Sequence, residues 1–91
     1  MSEIVGYFVR IETRVGTVDD FGCSKTRETE SEAMSDLDTI LSLLKAMGFY
    51  EHRASTFRDW STQRHPSLDV IVELRLEAVW RYGETKKQEE T

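Results

Sequence analysis

The stretch Asp69-Val70-Ile71-Val72-Glu73-Leu74-Arg75-Leu76-Glu77-Ala78-Val79-Trp80-Arg81-Tyr82 decides how this chain folds. From Val70 every even position is apolar or aromatic, while the odd positions hold Asp69, Glu73, Arg75, Glu77 and Arg81, with Ile71 and Val79 among them. A period of two predicts a strand with one buried face. At about 3.3 Å per residue it would run on the order of 40 Å. Such a strand needs cover, and the rest of the chain limits what can supply it.

One helix is predicted. Met34, Leu37, Ile40, Leu41, Leu44 and Met47 recur at spacings of three and four, the signature of one apolar helix face. Thr29 with Glu32 fits a capping box, Ser31 is an alternative cap, and acids crowd the first turns where they complement the helix dipole. Gly48 follows the last apolar turn and suits a left-handed cap. A helix over 31–47 would measure roughly 25 Å. It is too short to cover the strand, so Ala78, Trp80 and Tyr82 are predicted to be left over at one end, and spare contiguous apolar surface marks an interface.

Three further segments complete the reading. Residues 4–15 form a first strand, with Val5, Tyr7, Val9 and Ile11 on one face and Arg10, Glu12 and Arg14 on the other. Residues 16–22, containing Asp19-Asp20, read as a turn, and 21–26 as a short returning strand. Residues 49–57 read as a strand and 58–67 as a loop closed by Pro66. The expected fold class is α+β: one α-helix packed on a mainly antiparallel sheet of three or four strands, in the order β(β)αββ. Residues 1–82 are read as a single domain and 83–91 as a polar, disordered tail.

Ninety-one residues with 38% hydrophobic and 32% charged residues, one Pro and five Gly fit a globular chain better than a disordered or membrane one. No run approaches a membrane span, and a cytoplasmic location is the default expectation. Cys23 is the only cysteine, so no disulfide within the chain staples the fold. Of the net charge of −5, residues 28–48 carry −4, with five acids (Glu28, Glu30, Glu32, Asp36, Asp38) against Lys45. Net charge therefore gives no support to nucleic-acid binding.

Motifs for chemistry are sparse. His52 and His65 stand 13 positions apart without a companion ligand motif, and no metal or cofactor is expected. The sequence has no Gly-x-Ser-x-Gly, and its glycines at 6, 16, 22, 48 and 83 stand singly, so neither a nucleophile elbow nor a phosphate loop is present. Cys23 reads as a small buried thiol more readily than as a reactive one.

The densest cluster is Arg58-Asp59-Trp60-Ser61-Thr62-Gln63-Arg64-His65. Arginine and tryptophan are common binding hot spots, and an aromatic among cations can stack a base. The plainer reading makes Trp60 a plug at the end of the core. The acids Glu32 and Asp36 would face a basic partner, or simply stabilise the helix start.

The preferred reading is a small non-catalytic protein-interaction module. It would form a homodimer through its sheet and regulate or inhibit a larger protein, using Arg58, Trp60, Arg64, Trp80, Tyr82, Glu32 and Asp36. In size and acidity the chain resembles small phage or plasmid proteins that block host enzymes or defence complexes, an analogy resting on those two properties alone. The alternative is a small-molecule or nucleotide-binding dimer with a pocket at the helix–sheet or dimer seam. A third option, an enzyme with a histidine general base, has residues but no geometry.

Overall fold

Strand β5 (Val70–Tyr82) forms where the alternation demands it and pairs along its whole length with β1 (Ser2–Val15). The pairing is antiparallel and runs from Ser2 opposite Tyr82 to Val15 opposite Val70. Directly opposed residues share a face, so Val9, Ile11, Thr13 and Val15 join Leu76, Leu74, Val72 and Val70 in one apolar surface. The computed structural model describes residues 2–82, apart from the side chain of Tyr82. Residues 83–91, read above as a tail, lie outside the described residues.

Beyond β1 and β5 come β2 (Val18–Cys23), α1 (Glu30–Ala46), β3 (Tyr50–Ala54) and β4 (Trp60–Arg64). The sheet order is β2-β1-β5-β4-β3, with every neighbouring pair antiparallel. One helix therefore lies on a five-stranded antiparallel sheet, an α+β fold as expected, with five strands rather than three or four. The Gly16 N–H donates to the Asp69 carbonyl at 3.0 Å, tying the β1–β2 turn to the start of β5.

The core is Val9, Leu37, Phe49, Val72 and Leu74, with Ile11, Met34, Ile40, Leu41, Leu44 and Val70 packed against it. Both helix ends are fixed. Thr29 is the N-cap and exchanges hydrogen bonds with Glu32 in the expected capping box. At the other end Gly48 (φ +98°) donates to the Lys45 carbonyl and Phe49 N–H to that of Leu44, which is a Schellman motif. That motif delivers Phe49 into the core.

Several sequence expectations are corrected. Residues 58–67 are not a loop, because β4 occupies Trp60–Arg64. Its inward residues are Ser61 and Gln63, buried but polar and hydrogen-bonded to each other at 2.6 Å, so no apolar alternation betrays the strand. The β1–β2 turn is only Gly16-Thr17, and Asp19-Asp20 belong to β2. Cys23 is exposed rather than buried, because β2 is an edge strand.

Between β2 and α1 a strap runs along β1. Ser24 N–H donates to the Val9 carbonyl at 2.9 Å, Val9 N–H donates to Ser24 Oγ, and Tyr7 and Arg27 exchange backbone hydrogen bonds at 2.8 and 2.7 Å. The strap crosses Gly6 so closely that a Cβ there would lie 2.8 Å from Thr26 Cγ2 and 2.9 Å from the Arg27 carbonyl oxygen. Because the second contact is backbone, relief requires the strap to move. Gly6→Ala is expected to destabilise the fold by about 1–3 kcal/mol. Gly22→Ala, where nothing lies within 4 Å, serves as the near-neutral control. Urea unfolding midpoints check both, and equal midpoints would contradict the close approach.

Candidate interaction surface

The helix covers one face of the sheet, and among the described residues nothing covers the other. The registers arrange that open face as a grid. One row reads Cys23, Arg10, Arg75, Trp60 across β2, β1, β5 and β4; the next reads Phe21, Glu12, Glu73, Thr62. A third reads Asp19, Arg14, Ile71, Arg64 and, on β3, Tyr50.

Like charges thus stand directly opposite each other, Arg10 against Arg75 and Glu12 against Glu73, which alone is unfavourable. The rows offset this by pairing along the strands, with Arg75 Nη2 3.0 Å from Glu73 Oε2 and Arg10 Nε 3.2 Å from Glu12 Oε1. The Arg10 contact falls outside hydrogen-bond geometry, so its buried Nε keeps a donor without an acceptor. The result is a row of guanidiniums beside a row of carboxylates, closed at one end by Trp60 and at the other by Phe21.

Trp60 is half-buried on this open face and is no plug of the core. Its indole N–H donates to Glu73 Oε2, which also accepts from Arg75. These two donors hold the Glu73 carboxyl below its usual range, the indole contributing most, against the opposing effect of burial. Phe21 is exposed, with the Arg10 guanidinium 5.1 Å from its ring centroid.

Of the residues singled out in the sequence, Trp60 and Arg64 share this face and Arg58 does not. Arg58 (φ +64°) closes the turn between β3 and β4 and lines a crevice of about 380 Å³ with Lys45, Phe49 and Tyr50, contacting Glu51 at 4.0 Å. Glu32 is engaged in the helix cap, and Asp36 accepts two hydrogen bonds from Arg27 at 2.8 and 3.0 Å. That pairing lowers the Asp36 pKa and anchors the strap to the helix. Both acids thus have structural partners.

The histidines do not converge. His52 is exposed on β3, while His65 Nδ1 accepts from Ser67 N–H and its ring meets Phe49 edge-on at 5.2 Å. Among the described residues no group of three His, Cys, Asp or Glu is placed to hold a metal. No described helix is long and apolar enough to cross a membrane.

A second surface was only half legible in the sequence. Pairing of β4 with β5 stops at Arg75, and the backbone pairing of the strap with β1 goes no further than Tyr7. Beyond these points β1 and β5 continue alone as a two-stranded arm. Ile4 lies opposite Trp80 on it, and Ile4, Val5 and Trp80 are 40%, 41% and 51% exposed. The surplus at Trp80 was readable from reach alone. Its partner Ile4 was not, because a bulge at Val5 switches the parity of β1.

No family model, curated protein or solved structure matches the chain.

The Trp60–Glu73 bond sets a pH dependence. A folded-state carboxyl pKa below the usual value of 4.5 gives stability that is complete above that value and lost as pH falls through the lower folded pKa. Asp19 and Asp36, lowered by Arg14 and Arg27, act with the same sign. In Trp60→Phe the Glu73 pKa is expected to rise toward its usual value, and the acid-side loss of stability to shrink. Carboxyl NMR titration and urea unfolding measured across the acid range check this, and an unchanged Glu73 titration would refute the bond's role.

Proposed function

We propose that this protein is a small non-catalytic interaction module that self-associates through its sheet and uses the open face to bind, and so regulate or inhibit, a larger protein. The observation that carries the reading is the bare β1–β5 arm. A two-stranded ribbon is marginal in water on its own, yet this one keeps Ile4, Val5 and Trp80 uncovered. The open face supports a protein partner in particular. Its aromatic ends and paired arginines match the residue types that dominate protein interfaces, and its alternating rows of opposite charge suit a partner of mixed charge.

A nucleotide fits this face less well. Its groove of about 350 Å³ is lined by the carboxylates of Glu12, Asp19, Asp20 and Glu73 against the single cation Arg14, and this excess of negative charge repels phosphate. The trio Arg58, Trp60 and Arg64 is also split between two surfaces.

The test has two arms. Sedimentation is expected to find a dimer at micromolar concentration that the double substitution Ile4→Ser with Trp80→Ser converts to monomer. A partner recovered by affinity capture is expected to be lost in Trp60→Ala with Arg75→Ala, with self-association unchanged. A monomer at micromolar concentration that captures no protein would end this reading.

A further inference from the structure

The sheet has four stretches of strand edge without a neighbour among the described residues: the outer edges of β2 and β3, and the arm segments of β1 and β5. Three are blunted. The β3 edge carries a bulge at His52, the β1 segment one at Val5, and β2 presents Asp19 and Asp20 with no base of its own. Bulges and like charges are how proteins keep edges from pairing. The β5 segment from Glu77 to Tyr82 has neither.

Its backbone is oriented for pairing. Leu76 N–H donates to the Asp59 carbonyl at 2.8 Å on the β4 side, so the alternation of a strand turns the N–H and C=O groups of Ala78 and Trp80 toward that same side, where β4 has ended. Resting on the reading that the chain self-associates through its sheet, we propose that the occupant of this edge is the β5 segment of a second copy. The two strands run antiparallel about a two-fold axis through Val79.

Charge selects this register. With Val79 facing its counterpart, Glu77 lies opposite Arg81 of the second copy and Arg81 opposite Glu77. Two identical ion pairs result, both at non-hydrogen-bonded sites where side chains approach most closely. Shifting the pairing one step in one direction sets Arg75 against Arg81. The opposite shift sets Arg81 against Val79. Arg81 already contacts Glu3 at 2.6 Å, and a guanidinium with five donors accommodates a second carboxylate.

The apolar face agrees. Ala78 takes Trp80 of the second copy opposite it, in hydrogen-bonded pairs, and the two tryptophans become diagonal neighbours. The arm then becomes a four-stranded sheet, β1-β5-β5-β1. Pairing with the incoming strand ends at Glu77 opposite Arg81, because the Leu76 N–H already donates to the Asp59 carbonyl and the next place on this edge is taken.

The test uses the full chain in sedimentation equilibrium at concentrations up to about 100 μM. Wild type is expected to dimerise. Glu77→Arg places Arg against Arg twice, Arg81→Glu places Glu against Glu twice, and each is expected to weaken the dimer by about tenfold or more. An equimolar mixture of the two variants restores both pairs as a heterodimer and is expected to regain wild-type strength. A wild-type monomer throughout would overturn self-association itself. A dimer indifferent to both substitutions, or a mixture no stronger than its components, would overturn this edge and register while leaving self-association standing. Trp80 as sole tryptophan in Trp60→Phe gives a second readout without charge changes. Its emission is expected to shift to the blue as concentration rises, and an emission independent of concentration across the dimerisation range would overturn the proposal.

Discussion

The antiparallel pairing of β1 with β5 is the constraint on which the rest of this structure depends. It brings the two ends of the described chain together, with Ser2 opposite Tyr82, and fixes a register in which one face is apolar. A slip of one residue would turn every side chain to the wrong face, so Val9, Leu74 and Val72 in the core make the register strongly specified. The remaining elements attach to this ribbon: β2 through a two-residue turn, β4 against the first half of β5, and α1 across its apolar face.

Legibility in the sequence followed the regularity of each pattern. β5 and α1 were readable almost to their ends, because period two and period 3.6 ran unbroken and the Thr29–Glu32 box and Gly48 mark the helix limits chemically. β4 was hidden for a physical reason. A central strand normally announces itself by apolar residues, but Ser61 and Gln63 face the core and satisfy each other by a hydrogen bond instead. The position of Trp60 was misleading in the same way. A large aromatic in a small chain argues for the core, yet the parity of β4 is set by its buried polar pair, and that places Trp60 on the opposite face. Nothing in sequence spacing signals the Trp60–Glu73 bond, which joins residues thirteen apart on neighbouring strands.

The open face shows how a chain can carry unfavourable pairs without losing its fold. Arg10 against Arg75 and Glu12 against Glu73 are like-charge oppositions forced by the same register that builds the core. Core burial is worth more than such exposed oppositions cost, and the strands relieve them by pairing each arginine with the glutamate two positions away. The face therefore balances its charge across the two central rows. It separates charge into parallel rows, a pattern that discriminates among partners by alignment more than by total charge.

The bare arm follows from how the helix is anchored. Capping at both ends limits α1 to seventeen residues, about 25 Å, against some 40 Å of ribbon. Its position is fixed as well as its length. The strap bonds to β1 at Tyr7, and Arg27 grips Asp36, which holds the first turns of the helix at that point of the ribbon. Its far end is held where Gly48 lies against His65 and Phe49 enters the core. The helix can neither lengthen nor slide toward Ile4 and Trp80 without breaking one of these attachments. Exposure of the arm is thus a consequence of the best-fixed contacts in the molecule, and any cover for it has to come from outside the described chain.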